Sequence, residues 1–154
     1  PAYYRDLVAQ AAAKEKVDPL LLLAMIRQES LFESVAQSWA AAQGLMQIIP
    51  STGEYIARGL DWPGYRNEDL YKPYVSIAFG AYYLAWQLEA FDGDVYAALS
   101  AYNGGPGNAA FWWESASSDP DLYLGVVTLA ETHSYIKLIF THYTYYRALY
   151  GQGE

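Results

Sequence analysis

The sequence predicts an all-α domain. Apolar residues recur at helical spacing in nearly every segment, and the residues between segments are helix-capping and helix-starting types rather than the alternation and turn signals of hairpins. A first helix is expected from about Ala2 to Lys16, where Tyr4, Leu7, Val8 and Ala11 form an i, i+3, i+4, i+7 stripe. Asp18 and Pro19 restart the chain, as an acceptor side chain at N-cap and a residue whose missing N–H is harmless at N1; this second helix is expected to end near Ser30. Ser51 and Glu54 read as a capping box that opens a short helix, with Gly59 closing it in a left-handed conformation. Asp61-Trp62-Pro63-Gly64 reads as a turn. A long helix follows from about Pro73 to Phe91, with Ile77, Gly80, Ala81, Leu84 and Leu88 on one side, and Asp92-Gly93-Asp94 breaks it. After a helix from about Val95 to Tyr102, the run Gly104-Gly105-Pro106-Gly107 is expected to be a tight loop. Asp119-Pro120 repeats the Asp-Pro start, and a last helix spans about Glu131 to Tyr150, ending at Gly151.

The 154 residues fit one domain, taken as 1–154, with enough chain to bury a core. Hydrophobic residues make up 53% and charged ones 17%, which argues against disorder. No apolar run reaches the roughly 18 to 20 residues that a membrane span requires. Nine Lys plus Arg against 17 Asp plus Glu give a net charge of -8, which disfavours nucleic acid, since phosphate neutralisation needs clustered cations. The absence of Cys excludes disulfides, thiolate zinc sites and thiol catalysis. The chain opens at Pro1 without an initiator Met or a leader, so we expect a domain of a longer exported protein. His133 and His142, nine residues apart on one helix, face opposite sides and do not share a metal. The glycine run lacks the Lys-Ser/Thr ending of a phosphate loop, so neither metal nor cofactor is expected.

The residue that stands out is Glu29. Leu22, Met25 and Ile26 form the apolar stripe of the second helix, and the next position of that series, i+7, is this carboxyl. Desolvation and the negative end of the helix dipole both act to raise its pKa. A carboxyl so tuned can give a proton to the leaving oxygen of an acetal near neutral pH. Periodicity alone leaves a plainer reading open, in which Glu29 pairs with Arg27, Arg58 or a backbone N–H at the helix end.

The surrounding residues resemble the goose-type lysozyme and soluble lytic transglycosylase family. Glu29-Ser30 with Phe32, Ala36 and Ser38 is similar to the family's Glu-Ser motif, and Gly44-Leu45-Met46-Gln47 to its Gly-Leu-Met-Gln motif. Ala101-Tyr102-Asn103 with Gly104-Gly105-Pro106-Gly107 resembles its Ala-Tyr-Asn block and Gly-Pro-Gly loop, and Glu131-Thr132 with Tyr135 its Glu-Thr-x-x-Tyr block. Ordered blocks covering roughly Asp18 to Gly151 are far more specific than one short motif. The chain departs from the pattern at Glu33-Ser34, where Asn-Pro is frequent, and at Ala41, where Gly is common.

The resemblance implies a lysozyme-like, goose-type globular fold of about seven to nine helices with a substrate groove. It also implies a lytic transglycosylase that cleaves the β-1,4 bond between N-acetylmuramic acid and N-acetylglucosamine in peptidoglycan, with Glu29 as acid and then base. Most glycosidases use two carboxylates. Here Glu33 is expected in a loop and Glu54 in a capping role, and the family works with one catalytic Glu, the substrate supplying its N-acetyl group and 6-hydroxyl. Ser30, Gln47, Tyr102 and Asn103 have the amide, hydroxyl or phenol groups suited to holding sugar oxygens.

By resemblance Met46 and Gln47 line the groove and Tyr102 approaches the catalytic Glu; taken alone, Met46 reads as core filling and Tyr102 as a core phenol. Glu131 and Tyr135 approach the site in the family, although an acid at a helix start is favoured by the macrodipole in any case. With 16 Tyr and five Trp, the chain suits a sugar-stacking groove, and at least one of the adjacent Trp112 and Trp113 is expected to be partly exposed. The implied partner is the peptidoglycan strand, met by a monomeric domain in the periplasm or cell-wall space, with a helical module upstream. A hydrolase on the same fold and a non-catalytic peptidoglycan-binding module are the alternatives.

Overall fold

The computed structural model describes residues 3–151, and among them it has eight α-helices, one 3-10 helix and no strand. The helices are α1 Arg5–Glu15, α2 Pro19–Ser30, α3 Pro50–Gly59, α4 Pro73–Ala90, α5 Val95–Gly104, α6 Pro106–Ser115, α7 Pro120–Val126 and α8 Ala130–Tyr150, with the 3-10 helix at Asn67–Tyr71. The all-α class and the helix count agree with the sequence. The chain divides into two compact units, one formed by the residues up to Tyr82 with those from His142 onward, the other by Tyr83–Thr141.

In the first unit α2 is the central element. Leu21, Leu22, Leu23, Ala24, Met25 and Ile26 are consecutive and all buried, and a helix apolar on every side is stable only inside a core. Asp18 caps it as expected: its carboxylate accepts the Leu20 N–H at 2.7 Å, with Pro19 at N1. The Tyr143 hydroxyl donates to the other oxygen of the same carboxylate, and His142 Nε2 lies 3.3 Å from Gln28 Oε1. Burial and the Arg27 charge both disfavour the imidazolium and hold the His142 pKa below the usual value. Burial, with Asp69, Glu54 and Glu68 nearby, pushes the Tyr65 phenol up to about 12.

The predicted first helix is shorter than expected: Tyr4 and Lys16 are left-handed residues flanking Arg5–Glu15, and Ala2 lies outside the described residues. The capping box at Ser51 does not form. Pro50 takes the N1 position for which its ring is suited, so the N-cap falls on Ile49 and Ser51 sits inside the first turn, with Glu54 exposed. Nor does Gly59 close the helix left-handed; Leu60 follows in right-handed geometry, and the left-handed residue is Asp61, φ 52°.

The second unit holds α5, α6 and α7 as a packed cluster. Asp92 and Gly93, both at positive φ, end α4, and the Asp94 carboxylate caps α5 through the Ala97 N–H at 2.7 Å. The glycine run is not a loop. Helix α5 continues to Gly104, Gly105 alone turns the chain at φ 89°, and α6 starts at Pro106. A single Gly suffices because Pro106 begins the next helix with its φ already set. Trp112 is buried, with its indole N–H donating to Thr128 Oγ1 at 3.2 Å, and Trp113 is half-buried between Phe91 and Tyr123. The buried Tyr123 hydroxyl pairs with Ser100, and burial pushes its pKa up to about 12.

Candidate active site

The site residues read from the sequence fall into a set carried by each unit. In the first, α2 delivers Glu29 in its last turn. Leu22, Met25 and Ile26 of its stripe are fully buried, whereas Glu29 is half-buried at the edge of that face. A carboxyl there is partly desolvated yet accessible, the combination a proton donor needs. Immediately afterwards the chain makes an unusual turn, with Leu31 (φ 52°) and Phe32 (φ 68°) consecutively left-handed. Ala41 (φ 60°) and Gln47 (φ 46°) follow. Non-glycine residues in this region each cost on the order of 1 kcal/mol, and such strain gathers where a backbone is held for function.

The segment that answers Glu29 is Gly44–Gln47, which is clamped by serines from two helices. Ser30, only 7% exposed, donates its hydroxyl to Leu45 O at 3.0 Å and to Ile26 O at 3.1 Å. Ser76 of α4 accepts the Met46 N–H at 3.1 Å. Gly44 (φ 77°) has no room for a side chain, since a Cβ there would lie 1.9 Å from Leu70 O. The Gln47 side-chain amide donates to Gly44 O at 2.9 Å and to Ala36 O at 3.1 Å, so the turn is also tied to the segment that follows Phe32.

This geometry changes several expected roles. Ser30 is buried with its one hydroxyl proton committed to backbone carbonyls, so it fixes the turn. Met46 is fully buried and packed over Gly80, where an added Cβ would lie 2.5 Å from its Cγ, as the core-filling reading of this residue expects. Gln47 has both amide hydrogens engaged within the protein, leaving its carbonyl oxygen as the group able to meet a substrate N–H or O–H.

In the second unit Asn103, in the last turn of α5, accepts the Thr132 hydroxyl at 2.8 Å through Oδ1. Thr132 is buried and also fills the space above Gly104, where a Cβ would lie 2.8 Å from its Oγ1. The bond leaves the Asn103 amide N–H groups available as donors. Tyr102 is half-buried, its ring 5.3 Å from that of Tyr83. Tyr135 is buried, and Glu131 is exposed in the first turn of α8, where the helix dipole favours a carboxylate.

Sequence reasoning missed Ser76 and the part played by Thr132. A signal existed for Ser76, a lone hydroxyl next to Ile77 on the apolar side of α4, but its partner lies 30 residues away in sequence. Among the described residues no group of three or more His, Cys, Asp or Glu is placed to hold a metal ion, and no helix is long and apolar enough to cross a membrane.

This helical fold is shared with solved lytic transglycosylases. The lytic transglycosylase Slt of Pseudomonas aeruginosa, solved as an inactive glutamate-to-glutamine mutant, matches all of this chain at TM-score 0.91 and 28% identity, over 25% of its own length. A 70-kDa soluble lytic transglycosylase in complex with bulgecin A matches 99% of this chain at TM-score 0.92 and 29% identity, over 25% of its own length. The family model for the transglycosylase SLT domain matches residues 6–123, and the chain belongs to that family. The soluble lytic murein transglycosylase of Salmonella typhimurium is 30% identical over 100% of this chain and 24% of its own length. The corresponding Escherichia coli K12 protein is 29% identical over 98% of the chain and 24% of its own length. The chain thus spans about a quarter of the length of the curated relatives it matches.

Proposed function

We propose that this chain is a lytic transglycosylase domain that cleaves the β-1,4 bond between N-acetylmuramic acid and N-acetylglucosamine in murein strands without consuming water. The observation that carries the reading is Glu29, half-buried at the end of a fully buried apolar stripe, beside a turn clamped by Ser30 and Ser76. The likeness to lytic transglycosylases over essentially the whole chain supports it.

In this reading Glu29 protonates the glycosidic oxygen as it leaves the anomeric carbon, and the substrate's N-acetyl oxygen supports that carbon. The carboxylate then takes the proton of the muramyl 6-hydroxyl as that oxygen bonds to the same carbon. Glu29 ends protonated as it began, and the product carries a 1,6-anhydro ring. A second carboxylate is not required, which fits the exposed positions of Glu33, Glu54 and Glu131. The Gln47 oxygen, the Asn103 amide, Tyr102, Glu131 and Tyr135 are the groups proposed to hold the sugars in register. The domain acts by itself on one strand, and its substrate requires it to work in the periplasm or cell-wall space.

Digestion of purified murein followed by mass spectrometry tests the proposal. Anhydromuramyl ends are the expected product. Ends one water heavier would make the chain a hydrolase, and binding without turnover would make it a peptidoglycan-binding module.

A further inference from the structure

The segment joining Glu29 to the clamped turn carries a feature that the proposed chemistry leaves unused. Trp39 is 100% exposed. It stands at the tip of a tight hairpin in which Ser38 donates its N–H to Ala42 O at 3.0 Å, and its carbonyl accepts the Ala41 N–H at 3.1 Å. The Ser38 hydroxyl oxygen accepts the N–H groups of Ala40 at 3.2 Å and Ala42 at 3.1 Å. A Gln37–Gln43 bridge closes the base. The largest apolar side chain is therefore held in water by a backbone fixed on both sides of it, where a mobile loop would fold the ring down.

The hairpin is also bonded to the catalytic segment. Ala36 O accepts both the Gly44 N–H at 3.0 Å and the Gln47 amide at 3.1 Å. Trp39 lies three positions beyond Ala36, so the Trp39 Cα is within about 10 Å of that junction even in a fully extended chain. An indole presented this way has the flat, weakly polar face that stacks on the C–H face of a pyranose ring.

We propose that Trp39 is a glycan-positioning platform, stacking on a sugar of the strand that runs past Gln47 and Glu29 and so setting the preference for long over short strands. The inference rests on the murein reading above for its substrate. It favours a sugar over a lipid surface because the ring is tied through Ala36 to the same turn as Gln47. Leu31 and Val35, at 73% and 74% exposure on the same segment, are aliphatic and lack a stacking face.

The test compares Trp39→Ala, Trp39→Tyr and the exposed aliphatic control Val35→Ala. One assay is the affinity for a chitohexaose probe by titration calorimetry, and the other is kcat/KM on long murein strands and on a tetrasaccharide. Trp39→Ala is expected to weaken hexaose binding about five- to tenfold, the weight of one aromatic contact. It should lower kcat/KM on long strands by a similar factor through KM and leave the tetrasaccharide within twofold. Trp39→Tyr should restore most of the loss, and Val35→Ala should change little. Unchanged hexaose affinity in Trp39→Ala would overturn the proposal, as would an equal loss in Val35→Ala. Because the affinity arm needs no turnover, a wild type that binds without cleaving would sink the lyase reading and still judge the platform.

Discussion

The pair of serines that clamp Gly44–Gln47 gives the sharpest prediction. Ser30→Ala removes the donor shared by Leu45 O and Ile26 O in a buried site. The Ile26 carbonyl lies in the ladder of α2, so the group left short is Leu45 O. A net hydrogen bond contributes about 1 kcal/mol, and a buried carbonyl left unsatisfied costs about 1–3 kcal/mol. We expect Ser30→Ala to destabilise the fold by about 1–3 kcal/mol, a fall in Tm of roughly 3–10 °C at this chain length. Ser76→Ala, which removes the hydroxyl that accepts the Met46 N–H, should fall in the same range. Both clamps act on the single peptide group between Leu45 and Met46, so once either is gone that peptide relaxes and the second loss is smaller. The double variant should therefore be less destabilised than the sum of the two by at least about 0.5 kcal/mol. Urea denaturation of the four proteins measures the cycle, and murein turnover should fall with each single change as Gln47 loses its register with Glu29. Strict additivity, or single losses below about 0.5 kcal/mol, would refute the clamp.

Ala41→Gly should stabilise the fold by about 0.5–1 kcal/mol, because relief of the left-handed Ala41 outweighs the added chain entropy of Gly; a higher urea midpoint with unchanged slope is the readout. Gly80→Ala should destabilise by about 1–3 kcal/mol by driving a Cβ into buried Met46, and Met46→Ala in the same chain should show non-additive recovery in the denaturation curves. His142 has its pKa lowered in the folded state, so its stabilising contribution is complete above about pH 6.5 and is lost as pH falls through the folded value. Melting curves across pH 5 to 8 should thus show wild type losing more stability on acidification than His142→Gln.

How much of this was legible in the sequence depends on the range of the interaction. The Asp-Pro starts at Asp18 and Asp119 were legible because the cap and its N–H lie two residues apart. Ser51 misled because the competing signal, Pro50, stands one residue before it and claims N1. The glycine run misled for a similar reason, Pro106 being a helix start where a loop was expected. At the site, the place of Glu29 at the end of the apolar stripe could be read from the period of α2, whereas the role proposed for it came from the surrounding motifs. The burial of Ser30 and Met46 could not, since their partners at Leu45 and Gly80 come from elsewhere in the chain and a period reports only the residue's own face. The family's common Gly at the position of Ala41 acquires its reason only from the φ of 60° there.

The central claim is that Glu29 alone supplies and then recovers the proton. Its most direct test is the mass spectrum of murein products from wild type and from Glu29→Gln, run beside melting curves of both. Anhydromuramyl ends are expected from wild type, with a loss of rate of at least about a hundredfold in Glu29→Gln, the lower bound for removing a general acid, and Tm nearly unchanged. A fully folded Glu29→Gln protein that still releases anhydromuramyl ends at a rate near that of wild type would contradict it.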